Sequence, residues 1–296
     1  MNRRGLIVNA DDLGIHPQIN AGIVDAFASG VLTSATLLMT TPYLDTTIAD
    51  CVRKNDLPVG IHLSLTLGKA LAPASQVPDL IDERGQFKLS AKRLMLLGGG
   101  DRAESLYQQI RREIEAQLAA ARDLGIVPTH VDSHQHVHMN PRIFAIVEAI
   151  AEHYGIFRIR FSRESLHRWE FGGDFIRNMR RQNLGKLAVA RFFAARISPR
   201  LAGPNEFFGL MYSGHISRSA WQHLIDWVGR HDRVVEIGIH PGYCAPSGNH
   251  IYRDSGANDF IASPSRQAEH DLLADPAIRA AIASRGIRLM SYRDLD

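Results

Sequence analysis

The chain has 296 residues, 45% of them apolar and 22% charged, with a formal net charge of +3. That size allows one large or two small domains with a sizeable core, and the balance excludes both a disordered chain and a membrane bundle. Two cysteines, Cys51 and Cys244, offer at most one disulfide and no CxxC pair, so any metal must be held by histidine and carboxylate rather than thiolate.

Met1-Asn2-Arg3-Arg4 is basic, but the apolar run after it is too short for a signal-peptide core, so the chain is expected to be cytoplasmic. Leu6 to Ala10 reads as a buried parallel strand ending at Asn9-Ala10-Asp11-Asp12-Leu13-Gly14. Ile15 to Ser29 has helical spacing and stops at Gly30. Ser34 to Met39 is the next strand, 44–55 a weakly patterned helix, and Val59 to Leu65 a third strand containing His62. Residues 67–100 are rich in Gly, Pro, Ala and Ser, and so long a stretch without periodicity suggests the lining of a substrate cleft.

Ser105 to Leu124 is an amphipathic helix with Leu106, Ile110, Ile114 and Leu118 on one face. Pro128 to Ser133 is a fourth strand running into His134-Gln135-His136-Val137-His138, and Pro141 opens a helix to Tyr154. Phe157 to Phe161 alternates as a fifth strand, and Gly209 to Ser213 is expected as a sixth. Ser219 to Val228 follows as a helix, then Val234 to Ile239 as a strand ending at His240-Pro241-Gly242. A helix from Ser265 to Ser284 and a strand from Ile287 to Ser291 complete the chain. Repeated strand and helix units imply an α/β fold, a barrel or a doubly wound sheet, and about seven strands favour the barrel, with its site at the carboxyl ends of the strands. Residues 1–296 read as one domain with a basic helical insertion at about 162–208.

The basic charge is local. Residues 175–201 hold seven basic residues and no acidic one, so without them the rest of the chain carries −4. Phe175, Ile176, Met179, Leu187, Ala190, Phe193, Ile197 and Leu201 share one side of a helical projection, a pattern that fits peripheral contact with the inner face of a membrane. The plain alternative is a core-packed helix with a solvated basic face. Nucleic-acid binding is not expected, since the arginines are interleaved with large aliphatic residues. No nucleotide cofactor is expected, because Gly98-Gly99-Gly100 lacks the setting of a phosphate loop.

Polar residues collect at strand ends. Asp11 and Asp12, His62, His134 and His240 lie at the ends of four strands, which converge in a parallel barrel. Two imidazoles and one carboxylate with a place left for water form a recurring hydrolase metal site, better suited to zinc than to magnesium alone. A leftover carboxylate and a leftover histidine are then candidates for base and acid. The plain alternatives are a turn for the acidic pair and a satisfied core residue for His62. His130, His134, His136 and His138 share a face if the segment is extended, and Asp132 looks like a carboxylate that orients an imidazole.

The four motifs Asn9-Ala10-Asp11-Asp12-Leu13-Gly14, Gly60-Ile61-His62-Leu63-Ser64-Leu65-Thr66, Thr129 to His138 and His240-Pro241-Gly242 resemble those of the YdjC, or ChbG-like, carbohydrate deacetylases. The resemblance implies a divalent metal, zinc or magnesium, on Asp12, His62 and His134, with Asp11 as base and His240 as acid. It implies a deformed (β/α) barrel, in agreement with the strand count, and removal of an acetyl group from an N-acetylated amino sugar. The basic insertion with Pro204 to Gly209 and Ser213-Gly214-His215 is similar to the HpnK subgroup, which implies an N-acetylglucosaminyl hopanoid, a glycolipid. A soluble chito-oligosaccharide is the alternative substrate. From another class stands a non-catalytic metal-binding or receiver-like regulatory protein, whose acidic pair also follows a first strand.

Overall fold

The structure, a computed structural model, describes residues 4–165, 181–214, 216–245 and 251–295. Seven parallel strands form one sheet among these residues: β1 (Gly5–Leu13), β2 (Ser34–Leu37), β3 (Val59–Leu63), β4 (Val131–Ser133), β5 (Glu206–Phe208), β6 (Val234–Ile239) and β7 (Arg288–Met290). The order is β4-β3-β2-β1-β6-β5, with β7 on β1. β1 is the hub. One edge pairs with β6 from Gly5 to Ala10, while the other takes β7 at Gly5 to Ile7 and β2 from Asn9 onward.

Beyond β4, the segment at Arg158 and Ile159 bridges to Val131 on one side and to Ala202 on the other. The Phe207 amide then donates to the Arg163 carbonyl at 3.2 Å, and the Asn205 amide to Val234 at 2.8 Å. These links curl the sheet into a half-barrel, the deformed (β/α) barrel that the family resemblance implies and with which the strand count agrees. Leu6, Val8, Ile61, Val131, Ile237 and Ile239 are fully or almost fully buried, as in a parallel sheet covered on both faces.

Several expected elements differ. Phe157 to Phe161 makes only two isolated bridges instead of a strand. The strand before β6 is Glu206–Phe208, because Gly209 takes φ +146 and 210–214 then turn. The single closing helix is two, Pro264–Leu273 and Pro276–Ser284, since Asp275 caps the second by accepting from the Ala277 amide and Pro276 cannot continue the first. Strand β1 runs through the acidic pair instead of stopping before it, with a break in register between Ala10 and Leu13.

Of the basic segment, 166–180 lie outside the described residues, and so do Phe175, Ile176 and Met179. The helix Arg181–Ala194 buries Leu187, Ala190 and Ala194 in the main core, with Ile197 and Leu201 packed against it. Its described apolar face is thus occupied by protein. Phe192, 53% exposed, is turned outward beside Arg191 and Arg196. No described helix is long and apolar enough to cross a membrane.

Candidate active site

Asp11 and Asp12 sit on the bulge of β1, where Asp12 adopts φ 67 and Gly14 φ 97. A left-handed aspartate inside a strand is strained, and it is stationed where backbone is re-aimed at a site. The bulge points the two neighbouring carboxylates in different directions. Each has its own buried arginine.

Arg160, fully buried, grips Asp11 with Nη1 to Oδ2 and Nη2 to Oδ1, both at 2.7 Å. The Asn9 amide donates to Asp11 Oδ1 at 2.9 Å. A carboxylate offers about four lone-pair sites, so three hydrogen bonds leave one open, on Oδ2. Burial pushes the Asp11 carboxyl up, but the Arg160 charge and hydrogen bonds outweigh it and hold the group well below the usual range. Arg266, also fully buried, donates Nη2 to Asp12 Oδ2 at 2.7 Å. This leaves Asp12 Oδ1 to face His134 Nδ1 at 3.0 Å and His62 Nε2 at 3.6 Å. Burial raises the Asp12 carboxyl as well, and the His134 and Arg266 charges bring it down well below its ordinary value.

His62 stands on β3 with Nδ1 bonded to Asp132 Oδ1 at 2.7 Å across the register from β4. Asp132 therefore fixes the ring and leaves Nε2 for the centre. Burial lowers the His62 pKa, and Asp132 more than reverses this, taking it to about 9. Thr36 joins the network, donating to Asp132 Oδ2 at 3.3 Å. His134 follows β4 at once and is 12% exposed in its side chain.

Asp12, His62 and His134 each offer a ligand atom within 4.8 Å of the others. Two ligands about 2.05 Å from a tetrahedral ion stand roughly 3.3 Å apart, so the 3.0 and 3.6 Å separations bracket what a divalent ion requires. An oxygen and two imidazole nitrogens fit such an ion chemically. A second triple, Asp11, His62 and Asp132, also converges. There the Arg160 guanidinium already supplies the positive charge, with Nη1 2.5 Å from Asp132 Oδ2.

His240 follows β6 and lies within electrostatic reach of Asp12, Asp11 and His62. Burial depresses its pKa to about 4. Its amide donates to Glu269 Oε2 at 2.6 Å, its ring meets Phe260 edge-on, and its buried Nδ1 has no partner among the described residues. The His240-Pro241-Gly242 turn rests on the helix Pro17–Ala28, where a Cβ on Gly22 would stand 2.6 Å from Gly242 Cα. Only glycine permits that approach.

The histidine cluster is not one face. Gln135 and His136 are both left-handed, at φ 56 and φ 54, so the segment coils after His134 and sends its rings apart. His138 is buried between Ser133 Oγ and the Arg160 carbonyl, at 2.6 and 3.0 Å, and burial holds it at about 4. His136 contacts Ser162 Oγ at 2.9 Å. His130 is stacked on Tyr292 with centroids 3.5 Å apart, and burial takes it to about 3. All three are packing partners of the centre, not members of the converging triple.

Arg160, Arg266 and Glu236 escaped sequence reasoning. Glu236 accepts from Arg160 Nε at 2.9 Å and from Tyr292 Oη at 2.5 Å. A lone glutamate in the apolar strand Val234 to Ile239 was the available signal, because a buried carboxylate demands a cationic or hydrogen-bonding partner.

Residues 5–284 match the family model described as YdjC-like protein. The chain is 32% identical to a carbohydrate deacetylase of Geobacillus stearothermophilus, covering 98% of both proteins. It is 33% identical to a chitooligosaccharide deacetylase of Citrobacter koseri, covering 99% of both. A solved structure from Enterococcus faecalis V583, described as a cellobiose-phosphate cleavage protein, superposes with a TM-score of 0.72 at 26% identity, over 98% of this chain and 97% of that one. With the family model spanning nearly the whole length and the same fold in a solved relative, this chain belongs to the YdjC-like family.

Proposed function

We propose that the protein is a metal-dependent carbohydrate deacetylase that hydrolyses the acetamide of an N-acetylated amino sugar to acetate and a free amine. The observation that carries this reading is the convergence of Asp12 Oδ1, His62 Nε2 and His134 Nδ1, with Asp11 on the same bulge. The names of the relatives agree with it.

In this reading Asp12, His62 and His134 hold the ion, zinc by the nitrogen-rich set, which when bound supplies Lewis acidity to water and to the amide carbonyl. Asp11 is the base. Arg160 keeps it ionised and fixes its plane, and the lone pair left on Oδ2 takes the proton of the attacking water. Arg266 holds Asp12 Oδ2 so that Oδ1 alone turns to the centre. His240 delivers a proton to the departing nitrogen as the C–N bond breaks. With a pKa of about 4 it enters neutral, and it receives by way of Asp11 the proton taken from the water before passing it to the departing nitrogen. Asp132 holds the His62 ring throughout.

The test is acetate release from N-acetylated chito-oligosaccharides by metal-loaded protein. Asp11→Asn should retain metal and lose turnover, whereas His134→Ala should lose metal. Near-normal hydrolysis by Asp11→Asn would remove it as the base.

The outward Phe192 between Arg191 and Arg196 favours a second substrate reading, an N-acetylglucosaminyl glycolipid of hopanoid type reached at a membrane surface. Sedimentation with anionic vesicles decides it: Phe192→Ser should release protein that wild type leaves on the vesicles, and no binding by wild type ends the reading.

A further inference from the structure

The helix Pro264–Leu273 carries two buried charged side chains one turn apart, Arg266 and Glu269, and the mechanism above uses only the first. Glu269 is 2% exposed and makes no ion pair among the described residues. Its Oε2 accepts from the His240 amide at 2.6 Å, and the Gly214 amide donates to the same carboxylate. These amides belong to the turns that leave β6 and β5, so one carboxylate ties the ends of two paired strands to the helix. Glu269 also borders a cavity of about 10 Å³ lined by Phe208, Tyr212, Leu224, Ile237 and Ile239, room for about one water at most. Burial among such walls pushes its carboxyl up to about 7, against the pull of the two amides and of the Arg266 charge. For packing alone an apolar side chain would serve at lower cost.

What the carboxylate holds is the peptide of the candidate acid. The His62 ring rests on Asp132 through Nδ1, but the buried Nδ1 of His240 has no partner among the described residues. An imidazole without such a grip stands where its backbone puts it. The helix fixes that backbone at two points, the His240 amide on Glu269 and the Gly242 amide on the Arg266 carbonyl at 3.1 Å. The first bond ends on a carboxylate and is the stronger of the two. Phe260, which meets the His240 ring edge-on at 5.2 Å between centroids, is placed by the same helix: its carbonyl accepts from Arg266 Nε at 3.0 Å, and the guanidinium lies over its ring at 4.2 Å.

We infer that Glu269 is a positioning residue for protonation of the departing nitrogen: it holds the His240 peptide so that the imidazole stands at the breaking C–N bond. The inference rests on the deacetylase reading with His240 as acid, and adds the group that places the acid. Glu269 touches no substrate and acts through His240 alone. Arg266 and Glu269 then divide the work of one helix, the first steadying Asp12 on the metal side and the second steadying His240 on the leaving-group side.

Amide and ester cleavage by metal-loaded protein separate this role from general stability. An amine leaves only with a proton, whereas the phenolate of para-nitrophenyl acetate leaves without one. Glu269→Ala should lower acetate release from an N-acetylated chito-oligosaccharide on the order of 100-fold, the scale of a misplaced catalytic group, with KM, metal content and ester cleavage unchanged. Glu269→Gln, whose amide oxygen still accepts from His240, should lie about tenfold above the alanine variant, and it carries the test if that variant does not fold. Equal loss on amide and ester, or undiminished amide cleavage in both variants, overturns the role. The His240 ring signals in nitrogen NMR, which need no turnover, should shift in both variants while those of His134 stay. Such a shift in a protein whose wild type releases no acetate would leave the positioning standing and remove the deacetylase reading. Acetate release by wild type with no shift and no selective loss in either variant would do the reverse.

Discussion

Replacing Arg160 by lysine keeps one positive charge at the heart of the site and takes away the planar fork. Arg160 makes four hydrogen bonds, two to Asp11 and two to Glu236 Oε1, and also touches Asp132 Oδ2 at 2.5 Å. A lysine has three donors on one atom and cannot span Asp11 and Glu236 together. At least two charge-assisted hydrogen bonds are lost at about 1.5–3 kcal/mol each, so the expected destabilisation is about 3–6 kcal/mol, or roughly 5–10 °C in Tm for a chain of this size. On the proposed mechanism turnover should fall on the order of 100-fold because Asp11 loses its fixed plane, while Asp12, His62 and His134, which Arg160 does not touch, should bind metal as before. Thermal unfolding, turnover and metal content measured on one preparation check all three. Unchanged Tm together with unchanged turnover would refute the role given to the guanidinium.

Other outcomes follow from the same contacts. Arg266→Met frees Asp12 Oδ2 and should weaken zinc about 10- to 100-fold in chelator competition, as loss of a ligand's hydrogen-bond partner does. Gly22→Ala pushes against Gly242 and should lower turnover through His240 while leaving metal affinity intact. Burial holds Glu164 at about 8 against an ordinary 4.5, so the native state keeps a proton that the unfolded chain has lost between those values. Its contribution is present below pH 4.5 and lost as pH rises to about 8; in Glu164→Gln, whose amide oxygen still accepts from Leu210 and Met211, Tm should decline less across that window.

The strands nearest the chemistry were readable because burial on both faces writes itself as uninterrupted apolar runs, and β6 was read to its exact ends. That Asp12, His62 and His134 come together was readable because strand ends of a parallel barrel converge whatever the loops do, while the choice of this triple among the strand-end groups came from the family resemblance. Arg160 and Arg266 were not: arginine is common on surfaces, and only the packing of distant elements shows that these two are buried. The histidine run misled because its one-face pattern assumes extended backbone, and Gln135 and His136 leave that region. Gln109, Glu113 and Gln117 were hidden in a helix whose apolar stripe is correct, since a polar residue beside such a stripe looks solvated until the loop it holds is seen.

The hub position of β1 makes the centre a gauge of complete assembly. The three groups that converge lie at residues 12, 62 and 134, and the arginine behind Asp12 at 266, so no local turn makes the site and its full hydrogen bonding draws on both halves of the chain. A metal held there would favour the wound sheet over a partly folded chain, because a ligand that meets only the native state protects it in proportion to its affinity. A chain that stops before residue 266 could bring the triple together and would still lack the hydrogen bond that fixes Asp12 Oδ2, so it should hold a metal there less tightly than the complete sheet.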